Sequence, residues 1–317
     1  MNVSVKNDVK VLVIGDMMLD HYIYGICNRI SPEAPVQIVE IKEEEYTLGG
    51  AGNVLKNLKS FNVNANVMSV VGNDDNAQIV NEHLNAMGVF NFTLINDEER
   101  CTTVKSRVLV SNHQLIRLDK EDIRPINNNI ANQLIRLLEK NIKNYDIVLL
   151  SDYNKGLLSP TLLKHLFAIC KAEGILTVID PKGIDFSKYK GVNVIKPNKK
   201  EAIIASGINI TNYESLRAAC EKIKEITECD SVIITMSEDG MAFFNEDVLE
   251  IIPTKAIDVV DVTGAGDTVL ASLGLAFASG YTLREACNFA NHAAAVVVSK
   301  VGSATATLDE VEQKLLN

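Results

Sequence analysis

No Cys-x-x-C pair occurs among the six cysteines, and the five histidines are equally scattered, so zinc-type ligand spacing is absent. Cys170, Cys220 and Cys287 fall in helical patterns as small hydrophobes, the ordinary use of a free thiol. No apolar run approaches the roughly 18 residues that cross a bilayer. Met1 to Lys10 alternate polar and charged types without the apolar core of a leader. No Lys/Arg-rich block appears, and 31 basic against 41 acidic residues leave ten net negative charges, which repel nucleic acid and anionic membranes. The seven prolines are too dispersed to mark a linker, and no internal repeat or low-complexity segment is visible. These absences predict a cytoplasmic protein whose partners are small molecules, with neither nucleic acid nor membrane among them.

At 317 residues, 47% of them hydrophobic and 23% charged, the chain can bury a sizeable core. Strand-length apolar runs ending in Gly, Asp or Pro recur at Val9 to Asp16, Ala65 to Gly72, Asp146 to Asp152, Ile175 to Pro181, Val192 to Asn198 and Ser231 to Ser237. Several carry Val and Ile on both faces, as buried parallel strands do. Helical patterns lie between or after them at Ala51 to Phe61, Ala77 to Met87, Ile130 to Ile142, Leu162 to Glu173, Tyr213 to Ile226, Thr268 to Ala278 and Leu283 to Ser299. Two stretches, 36–46 and 102–119, read as strands exposed on one face, with no helix following at once. The expected architecture is therefore α/β: a central, mostly parallel sheet with helices on both faces and a small inserted β-lid, in one domain over 1–317.

The strongest local signal is Asp261-Val262-Thr263-Gly264-Ala265-Gly266-Asp267, followed by a helix. Glycines at 264 and 266 let the backbone approach an anion, and the helix start adds its positive end. Asp267 would repel a resting phosphate but could take a proton from a hydroxyl attacking one, which suits phosphoryl transfer. The plain alternative is a Gly-Ala-Gly turn with Asp267 as a helix cap. Gly15-Asp16 ends the first strand and Gly49-Gly50-Ala51-Gly52-Asn53 opens the first helix, where α/β sheets bind ligands. Asp16, Gly49, Gly50 and Asn53 are thus candidates to meet a polyhydroxyl ligand. The glycine run fits neither G-x-G-x-x-G nor the P-loop, which disfavours a dinucleotide site.

With Pro197-Asn198-Lys199-Lys200-Glu201, these motifs resemble the ribokinase-type carbohydrate kinases, in the right order over nearly the whole chain. Further markers, Gly15-Asp16-Met17-Met18-Leu19-Asp20, Arg29-Ile30-Ser31-Pro32-Glu33-Ala34-Pro35-Val36, Gln114 to Asp119, Ser151-Asp152-Tyr153-Asn154-Lys155-Gly156 and Asp180-Pro181-Lys182-Gly183, are similar to the branch that phosphorylates the anomeric hydroxyl of a heptose 7-phosphate. The resemblance implies ATP as co-substrate, Mg2+ and a monovalent cation, K+. It implies Asp267 as the base and the N–H groups of Gly264, Ala265 and Gly266 as the anion hole. Asn198, Lys199, Lys200, Glu201, Thr235, Ser237, Gly240 and Asn291 would meet ATP, with Asn198 and Glu201 organising Mg2+ through water. Asp261 and Thr263, with backbone near Lys300 and Gly302, would form the monovalent-cation loop.

Without that context Asn198 reads as a helix cap, Glu201 as a solvated carboxylate and Thr235 as an ordinary strand residue. A phosphate-bearing sugar demands basic partners. Lys155, Lys182, Arg107, Lys105 and Arg29 are the candidates, Lys155 favoured for the sugar phosphate and Lys182 for either substrate's phosphates. Two other functions are kept in view: a ribokinase-type kinase for a hexose, hexose phosphate or nucleoside, and a non-catalytic nucleotide-binding protein. No His-x-Gly-His motif occurs, so no nucleotidyltransferase domain is expected. An exposed lid edge invites pairing across a homodimer.

Overall fold

In the computed structural model the described residues are 5–6, 8–111, 113–254 and 259–316; Met1 to Ser4 and Asn7 of the N-terminal stretch, Asn112 of the second lid segment, and Asn317 lie outside them. The chain enters on β1 (Lys10–Gly15), whose side chains alternate between two cores. Val11 and Val13 join one and Leu12 and Ile14 the other, which is why both parities are apolar. After one residue, Asp16, it becomes β2 (Met17–Ile30), returns on β3 (Gln37–Gly50), and turns into α1 (Ala51–Ser60). There follow β4 (Asn64–Gly72), α2 (Asp75–Ala86), β5 (Thr93–Asp97), β6 (Thr103–Val110), β7 (His113–Lys120) and α3 (Asn128–Asn141). The second half holds β8 (Ile147–Ser151), α4 (Pro160–Glu173), β9 (Leu176–Asp180), β10 (Val194–Ile195), α5 (Lys199–Ser206), α6 (Tyr213–Thr227) and β11 (Ser231–Thr235). It closes with β12 (Met241–Asn245), β13 (Val248–Ile252), α7 (Ala265–Ala278), α8 (Leu283–Val298) and α9 (Leu308–Leu316).

The body is a nine-stranded sheet in the order β13-β12-β11-β10-β9-β8-β1-β4-β5, parallel except for β12 and β13 at one edge. One core packs α1, α2, α7, α8 and α9 on one face, and the other packs α3, α4 and α6 on the opposite face. Caps fix helix starts: Ser159 Oγ accepts from Leu162 N–H before Pro160, and Thr282 forms a capping box with Glu285.

A separate four-stranded sheet, β3-β2-β6-β7, forms the lid. Segment 36–46 lies within β3, which runs on to Gly50, and segment 102–119 folds as the β6–β7 hairpin. The lid has a strand that the sequence reading leaves out, β2, which pairs with β3 and β6. Its first five residues are buried and the rest progressively exposed, so it shows no single period. Body and lid meet at Asp16. Its N–H donates to the Ser151 carbonyl (3.1 Å) and its own carbonyl accepts from Ala51 N–H (3.0 Å).

Candidate active site

In-register pairing of Gly15 with Ser151, and of Ser151 with Asp180, brings three strand ends to one level beneath the start of α7. There the chain runs Gly264, Ala265, Gly266, Asp267. Gly264 is the helix N-cap at φ 78°, a left-handed conformation for which glycine is suited, and a Cβ on it would stand 2.7 Å from Asn53 Nδ2. Asp267, 4% exposed, is gripped on both oxygens. Asn53 Nδ2 donates to Oδ2 at 2.7 Å and the Tyr153 hydroxyl donates to Oδ1 at 2.9 Å. Burial pushes its carboxyl up to about 7; Asn53 opposes the shift, the charge of Asp180 adds to it, and Tyr153 and Lys196 oppose it. The Oδ1 atom of Asn53 is buried without a hydrogen-bond partner, an acceptor aligned beside the carboxylate. Asn53 is itself held from behind: its carbonyl accepts from Asn57 Nδ2, whose Oδ1 accepts from Thr268 on α7.

Asp16, expected to meet the ligand, spends its carboxylate elsewhere. Oδ2 accepts from the N–H groups of Tyr153 (2.8 Å) and Lys155 (3.1 Å), and Oδ1 from that of Leu157 (3.4 Å). Burial and the neighbouring Asp152 raise it to about 6. It shapes the loop that delivers Tyr153 and Lys155. Gly49 and Gly50 form the end of β3 opposite Met18 and Met17; a side chain on Gly49 would collide with the Asp20 carboxylate. Asp20, which sequence reasoning passed over, is therefore the carboxylate nearest the glycine floor, paired with Arg107 at 2.6 Å.

On the nucleotide side, Asn198 caps α5. Its Oδ1 accepts from Glu201 N–H and Glu201 Oε2 accepts from Asn198 N–H, each at 2.9 Å. Glu201 is buried, and its other oxygen meets Lys182 Nζ at 2.6 Å. Lys200 is exposed and Lys199 stands 3.8 Å from Asp239. Thr235 ends β11 with its N–H on the Pro197 carbonyl, next to the turn of Ser237 (φ 54°) and Gly240 (φ 90°). Asn291 on α8 donates to the Pro253 carbonyl at 3.1 Å.

Asp261 closes its own loop: Oδ1 accepts from Thr263 N–H and hydroxyl, and Oδ2 from Gly302 N–H, which with little burial hold its carboxyl below the usual range. Lys300 is engaged with Glu310 and the Thr305 carbonyl. Lys155 pairs with Glu121 at 2.7 Å, and Lys105 lies 3.2 Å from Asp119 and 3.6 Å from Glu121. Arg29 is exposed on the lid.

Among the described residues no set of three or more His, Cys, Asp or Glu side chains could cage a metal ion. That suits magnesium, which keeps most of its waters and takes one or two carboxylates. Glu201 and Asp180, at neighbouring strand ends, are the carboxylates placed for that, and Asp180 is pushed by burial to about 6. No helix of the described residues is long and apolar enough to cross a membrane.

Three comparisons bear on this geometry. The model of the pfkB family carbohydrate kinases matches residues 8–310. The bifunctional protein HldE of a Nitratiruptor species is 48% identical over 304 residues, covering 96% of this chain and 64% of its own length. The HldE of Helicobacter hepaticus is 47% identical, over 96% and 63%. The chain thus spans just under two thirds of the length of these relatives. Among solved structures, Arabidopsis thaliana ribokinase with ribose and ATP superposes with a TM-score of 0.74 at 19% identity, over 97% of this chain and 99% of that one. Phosphofructokinase-2 of Escherichia coli with potassium superposes at 0.77 and 17%, over 98% and 99%.

Proposed function

The chain belongs to the pfkB family of carbohydrate kinases and is an ATP-dependent sugar kinase; from that premise we propose that its acceptor is the C1 hydroxyl of D-glycero-β-D-manno-heptose 7-phosphate, giving the 1,7-bisphosphate for ADP-heptose and lipopolysaccharide core. The observation that carries the proposal is the buried Asp267 at the start of α7, held by Asn53 and Tyr153 beside an unpartnered acceptor. The heptose rests on the likeness to the HldE proteins and on the markers around Asp16, Ser151 to Gly156 and Asp180 to Gly183.

Each carboxylate oxygen of Asp267 still has a lone pair for a hydroxyl after taking its present bond. The acceptor hydroxyl donates to that oxygen while Asn53 Oδ1 accepts from a neighbouring sugar hydroxyl, which orients the nucleophile. As the hydroxyl oxygen bonds to the γ-phosphorus, the bond to the bridging oxygen breaks, its electron pair leaves with ADP, and the proton passes to Asp267. A carboxyl near 7 is poised for this at neutral pH. The N–H groups of Gly264, Ala265 and Gly266 receive the phosphoryl oxygens. Asn198 and Glu201 would hold Mg2+ through water, and the ion, when bound, screens the phosphate charge.

Lys155 is the proposed partner of the sugar phosphate, released from Glu121 on binding, and Lys182 serves either substrate's phosphates. Asp261 and Thr263 are proposed to border a K+ site. The molecule is proposed as one kinase unit without a nucleotidyltransferase domain, working in the cytoplasm as a homodimer through the lid. The test of substrate is ADP release with magnesium-ATP and the heptose 7-phosphate, against ribose, fructose, fructose 6-phosphate and adenosine.

A further inference from the structure

Lys196 is 2% exposed, a burial that a lysine tolerates only when its ammonium is paired. The pair is Asp180, whose Oδ1 lies 3.0 Å from Nζ. The β9–β10 register explains the meeting: Ile195 is opposite Ile179, so the next residue on each strand emerges at the same sheet end. Replacing such a buried pair by apolar side chains is often neutral or favourable, so stability alone gives little reason for it. Its position gives a better one. A Cβ built on Gly266 would lie 3.5 Å from Asp180 Oδ2 and 4.0 Å from Lys196 Nζ, so only the missing side chain of Gly266 separates the pair from the turn that carries Asp267.

We propose that Lys196 is a catalytic residue, its ammonium forming the charged floor of the anion hole beneath the transferring phosphoryl, and that Asp180 is the positioning residue that holds it there. The inference rests on the kinase reading above. Amide N–H groups at a helix start supply partial charges; a desolvated ammonium about 4 Å away supplies a full one without reorganisation during transfer. The covalent balance is unchanged: Lys196 gives up no proton, and the hydroxyl proton goes to Asp267. Its charge also favours the ionised form of Asp267, so one group serves both base and phosphoryl.

The probe is magnesium-ADP with and without aluminium fluoride, whose compact anion stands in for the transferring phosphoryl. In the unaltered protein aluminium fluoride tightens ADP about tenfold or more; in Lys196→Met the tightening is lost while affinity for ADP alone stays within about threefold, and kcat falls roughly 10²–10³-fold. Asp180→Asn is isosteric and tests the same idea from the other side: the ammonium remains, and so does the tightening. This second variant keeps the question open to refutation if Lys196→Met fails to fold. Tightening that survives in Lys196→Met, or that vanishes in Asp180→Asn, overturns the role of Lys196 and leaves the kinase reading standing. No tightening in the unaltered protein would overturn both.

Discussion

The hydroxyl of Tyr153 donates to Asp267 Oδ1 at 2.9 Å, although 114 residues separate the two in sequence. Tyr153 owes this reach to Asp16, whose carboxylate pins the N–H groups of Tyr153, Lys155 and Leu157. A residue at the joint of body and lid thus sets the geometry of the base. The phenol carries its own proton firmly, because burial and the facing carboxylate raise it well above its usual range.

Tyr153→Phe removes one hydrogen bond that favours the ionised form of Asp267. The acid limb of log kcat/KM, near 7 in the unaltered protein, moves to higher pH by on the order of one unit. A pH–rate profile checks this; an unmoved limb would mean that the hydroxyl does not tune the base.

Asp267→Asn abolishes turnover and, at the same time, stabilises the fold at alkaline pH. Its folded carboxyl, near 7, is raised above the ordinary 3.8. Between those values the native state holds a proton that the unfolded chain has lost, so this group's stability contribution, complete below 3.8, disappears as pH rises through 7. The amide does not titrate. At about pH 8 the variant should gain on the order of 2–4 kcal/mol, with little gain at acid pH. Denaturant titration at the two pH values measures it. Asp16 and Asp180, each near 6, leave a residual slope of the same sign in the variant.

Lys155→Ala raises KM for the phosphate-bearing sugar about tenfold or more, with KM for ATP unchanged. Steady-state kinetics with each substrate varied in turn would show it. An unchanged sugar-phosphate KM would move the phosphate site to Lys105 or Arg107.

The lid predicts association. Its edge strand β7 exposes Ile116 and Leu118, each about half open to solvent, and β3 adds Ile41. Sedimentation of the unaltered protein should give a dimer, and Ile116→Lys a monomer. A monomeric mass for both would remove the lid interface.

How much of this the sequence discloses depends on where each residue's partners lie. The body strands are legible because burial on both faces writes unbroken Val, Ile and Leu runs, as at Ile147 to Leu150. The glycine loop is legible because a tight approach to an anion demands glycine at 264 and 266. β2 is not, since its burial fades along its length. β12 and β13 fall at the sheet edge after a turn and are likewise passed over. Only two residues of the run Val192 to Asn198 pair as a strand, because the chain then turns to present Lys196. Lys196 looks in sequence like a solvent lysine before a proline. Its burial follows from the pairing of β9 with β10, a long-range fact that no local pattern contains. Asp16 and Asp20 are both acidic residues near a strand end, and only the fold separates them: one faces backbone N–H groups, the other faces Gly49.

The most direct test of the central claim is ADP release with magnesium-ATP, comparing D-glycero-D-manno-heptose 7-phosphate with ribose, fructose, fructose 6-phosphate and adenosine, in the unaltered protein and in Asp267→Asn. The account predicts turnover confined to the heptose 7-phosphate and lost in Asp267→Asn. Turnover on another acceptor at a higher rate would contradict the heptose assignment, and turnover that persists in Asp267→Asn would contradict the mechanism.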